Sequence, residues 1–333
     1  MTTAIFNSVQ ARIEEEPDPV RRARIGQFIL EVIRHMPQLT VSQAASTALQ
    51  IIDVVNLHRY EGFGAITQMV QNIQLRPAME WHAFGYGAKP EATEIVLDVP
   101  TENPGTPPVP PKHEVYYLVE DTVRTNRGTD RPNPPIHLPS YRDTTTAWRK
   151  RLGYATQPNL SYMEFGAGRP IRRIEMLGNL WKIGAVATWE RDWEGETSWC
   201  LIEHPPETGD VPFPMMSELD CWYHLRIHHE IGRDGFAEIA RCLGEIFTGY
   251  VQRLWEDEPE RKAGELRGPE SEAAGYIALE RLWVPMRGRR TSWYRDYTAG
   301  EPAPAEFRWD AVIAAAEQIE DLLRGDTEPV TAA

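Results

Sequence analysis

The stretch from Ser217 to Glu258, SELDCWYHLRIHHEIGRDGFAEIARCLGEIFTGYVQRLWEDE, constrains the fold more than any other part of the chain. Leu225, Ile227 and Ile231 lead into Phe236, Ile239, Leu243, Ile246, Phe247, Tyr250 and Leu254, an apolar stripe at helical spacing. Ser217 is suited to an N-cap, with Glu218 and Asp220 in the first turn. Gly232 and Gly235 divide the pattern, so the sequence predicts two consecutive helices here.

The polar residues of the same stretch carry the chemistry most open to reading. On the first predicted helix Cys221, His224 and His228 fall at i, i+3 and i+7 and share one face. A thiolate and two imidazoles so placed would suit zinc, with a further ligand or water completing the tetrahedron. An overlapping pattern is His229-Glu230-Ile231-Gly232-Arg233, an HExxH motif whose second histidine is replaced by arginine. In that pattern His229 is a ligand and Glu230 the general base on a metal-bound water. Arg233 cannot take the second ligand's place, because a guanidinium stays protonated and offers no lone pair. The same histidines fit the edge of an amphipathic core helix, where histidines are more often structural groups than ligands.

At 333 residues the chain can bury a sizeable core as one domain or two, which would divide as 1–122 and 123–333. No apolar run approaches the length of a membrane span, and MTTAIFNSVQARIEEE lacks the basic and apolar regions of a secretory signal. Cys200, Cys221 and Cys242 form no disulfide framework. The expectation is a cytoplasmic protein without a membrane partner.

Taken in order, residues 1–17 read as a frayed acidic lead. Pro19 opens a helix with Ile25, Phe28, Ile29, Val32 and Ile33 on one face, closed by Pro37. Thr40 or Ser42 caps a second helix to about His58, and Phe63 to Leu75 is a third. Met79 to Tyr86, Glu94 to Val99 and Glu114 to Glu120 then read as strands, the last two joined by a proline-rich loop at 101–113.

His58-Arg59-Tyr60, Gln68, Trp81, Phe84-Gly85, a strand ending at Pro100 and a second from Val115 to Val119 form a pattern over residues 50–122. With the HEIGR pentad, it resembles antirestriction proteins of the ArdC type. The resemblance implies a single-stranded-DNA-binding domain followed by a zinc-peptidase-like domain. Two positions depart from that pattern: the lysine- and glycine-rich turn is reduced to Gly87-Ala88-Lys89-Pro90-Glu91, and Arg233 stands for the second histidine.

The net charge of −14 argues against general coating of nucleic acid, but the charge is unevenly spread. Arg124–Arg151 carries +5, Arg169–Lys182 carries +3 and Arg281–Arg295 carries +5, leaving −27 on the rest. In the first segment Trp148 lies beside Arg149, Lys150 and Arg151; the second contains Arg172 and Arg173; the third sets Trp293 and Tyr294 among Arg287, Arg289 and Arg290. Aromatic rings interleaved with cations can stack unpaired bases while the charges hold the phosphates. A neutralising role for these segments within the fold is an equal reading.

Ile171–Leu177 and Leu180–Trp189 flank Gly178-Asn179 as a hairpin, and Ser198–Glu203 adds a strand to make a meander. Trp181, Trp189, Trp193 and Trp199 would pack one face of it. Helices at Glu270–Trp283 and about Phe307–Leu323 complete the chain. The predicted class is α+β: a helical N-terminal third, a small antiparallel sheet and a helical C-terminal part. There is no Walker A loop, GxGxxG or GxSxG. Three functions follow: binding of nucleic acid, single-stranded for choice, or of another phosphate-bearing ligand through the basic-aromatic segments; zinc-dependent hydrolysis at the histidine stretch; or a non-catalytic assembly role.

Overall fold

The computed structural model describes residues 3–37, 39–55, 57–60, 62–83, 85–99, 112–125, 177–191, 200–203, 222–229, 235–251, 267–282, 293, 296–297, 301, 303–304, 306–324 and 327. The fold is α+β, as the sequence predicts. The chain divides into two compact units, residues 12–156 and residues 1–11 with 157–333. Among the described residues no helix is long and apolar enough to cross a membrane.

The first element, α1 (Thr3–Glu14), corrects the reading of a frayed lead. Val9 and Ile13, one turn apart, are both buried. In the unit of residues 12–156, α2 (Pro19–His35) starts where Asp18 accepts the Val20 N–H at 2.9 Å and Pro19 occupies the first turn. Its buried stripe of Ile25, Phe28, Ile29, Val32 and Ile33 packs against α3 (Val41–Ile51) and α4 (Phe63–Gln71). A reciprocal capping box between Thr40 and Gln43 sets the start of α3. The second and third helices thus end earlier than expected, and Leu75 opens a strand instead.

That strand, β1 (Leu75–Pro77), precedes α5 (Ala78–Ala83), β2 (Tyr86–Ala88), β3 (Ile95–Val99), β4 (Lys112–Leu118) and β5 (Thr122–Arg124). Antiparallel pairing orders one sheet β1-β4-β3, and β2 with β5 forms a separate ribbon. The edge strand β3 is closed by Gln50 of α3, whose amide accepts from Val96 N–H at 2.9 Å and donates to Val96 O at 3.0 Å. Met79 to Tyr86 is not a strand. Its first five residues belong to α5, which lets the Trp81 ring enter the core and its Nε1 donate to Tyr117 O at 2.8 Å.

In the other unit, β6 (Ala185–Glu190), β7 (Cys200–Glu203) and β8 (Tyr223–His228) form a mixed sheet ordered β6-β8-β7. The predicted meander is therefore replaced by a parallel β6–β8 pair and an antiparallel β7–β8 pair. The strand predicted over Leu180–Trp189 is present but starts later. Leu180–Ile183 is a 3₁₀ turn, Gly184 takes a left-handed φ of 67°, and β6 begins only at Ala185. Residues 171–176 lie outside the described set. Trp181 and Trp189 are 53% and 39% exposed, so they do not pack the sheet's inner face as expected; Trp193 and Trp199 lie outside the described residues.

The helices of this unit are α6 (Gly235–Phe247), α7 (Arg267–Arg281) and α8 (Trp309–Arg324). α6 covers β7, where Arg241 Nη2 donates to Cys200 O at 3.0 Å, and α7 packs on both α6 and α8. Gln10 of α1 ties to the start of α8: its Oε1 accepts from Trp309 N–H at 2.9 Å, and its own N–H donates to Asp310 Oδ1 at 3.2 Å.

Candidate functional site

The histidine stretch was expected to be helical, and the structure corrects that. His224 and His228 belong to β8, in which Tyr223, Leu225 and Ile227 point into the core and His224, Arg226 and His228 point to the other face. The alternation has period two, so i and i+4 share a face but lie about 13 Å apart along the strand. Zinc coordination requires each imidazole nitrogen to come within about 2 Å of one ion, and Arg226 lies between the two histidines on the same strand face. The strand thus removes the shared helical face on which the three-ligand arrangement depended. Cys221 and Glu230 lie outside the described residues, among which no group of three His, Cys, Asp or Glu side chains could hold a metal.

What β8 does assemble is a polar sheet face. Arg226 grips Glu190 of β6 with a two-pronged guanidinium–carboxylate pair, 2.6 Å on each side. Those bonds hold the Glu190 carboxyl below the ordinary carboxylate range. His224 Nε2 lies 2.7 Å from Thr188 Oγ1. His229 turns back so that its backbone N–H meets Glu190 O at 2.9 Å, and its ring sits 4.8 Å from that of His228. Behind the sheet Cys242 Sγ approaches Cys200 O at 3.5 Å. The Cys242 thiol and burial together push the Cys200 thiol well above its usual range, which keeps it protonated and unreactive.

Of the expected nucleic-acid contacts, Trp148, Arg149, Lys150, Arg151, Arg172, Arg173, Arg287, Arg289, Arg290 and Tyr294 lie outside the described residues. Trp293 is described and buried, stacked on Tyr297 at 4.8 Å and tilted against Tyr276 at 5.8 Å. Its ring belongs to the core and is not a free platform for a base. Two cations of the basic segments are engaged internally: Arg281, fully buried, pairs with Glu320 at 2.7 Å, and Lys182 Nζ donates to Thr327 O at 2.9 Å.

Sequence patterning missed the aromatic cleft formed by α5, β2 and β4. It has a volume of about 410 Å³ and is bounded by Met79, Trp81, His82, Tyr86 and Tyr117. Met79 is 79% exposed, whereas Trp81 is buried. Trp81 and Tyr86 meet with ring centroids 5.9 Å apart, and the Arg76 guanidinium lies over the Trp81 ring, 5.6 Å from its centroid. Tyr86 pairs directly with Arg124 across the β2–β5 ribbon, so both side chains stand on the same side of it. Thr125 then fastens the ribbon's end, donating from both N and Oγ1 to Gly85 O at 2.8 Å. Gly85 adopts φ 82°, the left-handed turn that swings the chain from α5 into β2. Only Trp81 and Gly85 had been singled out from sequence. Tyr86, Tyr117 and Met79 gain meaning from the turn that brings them together.

Compared with known protein families, characterised proteins and solved structures, the chain matches none.

Proposed function

We propose that the protein binds single-stranded nucleic acid, seating an unpaired base in the cleft at Met79, Tyr86 and Tyr117 and holding phosphates with the basic segment that begins at Arg124. The observation that carries this reading is that Tyr86, which lines an open apolar cleft, is paired with Arg124 across the β2–β5 ribbon. A base is a flat, largely apolar disc with a charged backbone, and it needs an aromatic wall beside a cation. The cleft's volume accommodates one base, and the wall residues are apolar or aromatic rather than charged. The cleft also lies within residues 50–122, the part of the chain that resembles the DNA-binding domain of the antirestriction proteins.

The test is anisotropy of a labelled oligothymidylate at low ionic strength. Tyr86→Ala is expected to weaken binding about tenfold to a hundredfold, the usual cost of one lost stacking partner. Tyr86→Phe should retain affinity, and Arg124→Glu should lose it. An oligonucleotide that fails to bind the wild-type chain overturns the proposal. Binding that is unchanged by Tyr86→Ala removes the cleft from it.

In the zinc-hydrolase reading the Cys221, His224 and His228 ligand set rested on a helix, and the strand at Tyr223–His228 gives that set no geometric support; Glu230 to Arg233 of the HEIGR pentad lie outside the described residues.

A further inference from the structure

We infer that a second cleft, formed by the end of α1, the start of α2 and the segment after α3, is a binding site for a small monocarboxylate with a compact apolar body. The cleft encloses about 340 Å³, within the range of small-molecule sites. Its charged lining consists of Arg12, Arg21, Arg24, Glu16 and Asp53, a net charge of +1. Two of the three guanidinium groups already have carboxylates. Arg12 Nη2 bonds Asp53 Oδ1 at 2.8 Å, and Arg21 Nε lies 3.3 Å from Glu16 Oε2. Glu16 is itself fixed, almost fully buried, with Oε1 accepting the Asp18 N–H at 3.2 Å.

Arg24 is the residue left over. It is half-buried, lines the cleft, and among the described residues makes no hydrogen bond or ion pair. A guanidinium withdrawn this far from water gains from a planar anion that can take two of its N–H groups at once, which a carboxylate does. The net charge of +1 matches a monoanion; a phosphate dianion would leave the cleft with an unbalanced negative charge. Ile25 and Ile52, each 5% exposed, and Leu57 supply the apolar wall against which a ring or short hydrocarbon would lie.

The experiment is calorimetric and thermal-shift titration of the full chain with benzoate, using benzyl alcohol and phenyl phosphate as comparisons. Benzoate should bind saturably and raise Tm, benzyl alcohol should do neither, and phenyl phosphate should bind more weakly than benzoate at neutral pH. Arg24→Gln should weaken benzoate about tenfold to a hundredfold, the range for a charge-assisted bond. Asp53 is 76% exposed, so Asp53→Asn leaves the fold intact; it releases Arg12 and should tighten benzoate binding severalfold. The inference is overturned by absence of saturable benzoate binding, by equal affinity in Arg24→Gln and Asp53→Asn, or by phenyl phosphate binding tighter than benzoate.

Discussion

Among the described residues, the clearest case of buried charges placed together is Arg281 with Glu320. The two side chains are 0% and 2% exposed, joined at 2.7 Å, and Arg324 closes on the other oxygen of Glu320. Burying two ions costs several kcal/mol each, and only their mutual attraction and well-aimed hydrogen bonds offset that. Removing one partner therefore costs more than the pair contributes. Glu320→Ala should lower stability by about 3–5 kcal/mol, because Arg281 is then left charged in the core. Replacing the pair together, as Arg281→Met with Glu320→Leu, should cost much less or nothing. Urea unfolding of the three proteins checks this, and equal losses in the single and double variants would contradict it. Sequence placed Arg281 at the start of a basic segment open to two readings, phosphate binding or neutralisation within the fold. Only the packing of α7 on α8 reveals it as internal, because a partner 39 residues away on another helix leaves no local signature.

At the scale of elements, α6 and α7 approach each other through small residues. A Cβ built on Gly244 would stand 2.3 Å from Ser271 O, and one on Gly275 would stand 2.9 Å from the Ala240 backbone carbonyl. Neither neighbour can move without shifting a helix. Alanine at Gly244 would gain about 1 kcal/mol in helix propensity. Overpacking against rigid backbone costs about 1–3 kcal/mol or more, so the steric effect wins. Gly244→Ala is expected to lower Tm, whereas Gly64→Ala, on an open face of α4, should be neutral or raise it. The same comparison explains what was legible in the sequence. The helices α2, α6, α7 and α8 announce themselves because apolar residues recur every three or four positions over several turns. β8 was misread because Cys221, His224 and His228 also satisfy helical spacing, although Tyr223, Leu225 and Ile227 alternate strictly with polar residues. Over six residues the two periods compete, and tertiary pairing with β6 and β7 decides between them. The parallel β6–β8 pair was out of reach altogether, since its strands are separated by more than thirty residues that include β7. The candidate cleft was legible only at Trp81 and Gly85; the ring of Tyr86 joins them because Gly85 turns the chain.

For the whole molecule, the proposed binding raises the question of how a chain of net charge −14 would hold a polyanion. The acidic remainder of −27 acts through the solvent, and at 0.1 M salt its reach is cut to about 10 Å. A cation touching a phosphate acts at contact and displaces a condensed counterion, a gain that added salt steadily erodes. The two effects thus respond to salt with opposite signs. If about three contacts form with the basic segments, the logarithm of the binding constant should fall with the logarithm of salt concentration with a slope near −2, taking about −0.7 per contact for single strands. Arg289→Glu with Arg290→Glu should make that slope shallower by about 1.4 if both touch phosphate. Affinity independent of salt would instead locate the binding energy in the aromatic cleft alone. Affinity that rises with salt would mean that repulsion from the acidic body dominates, and the basic segments would then be neutralising elements of the fold. Anisotropy titrations across a salt series, on wild type and this double variant, separate the three cases by the sign and size of one slope.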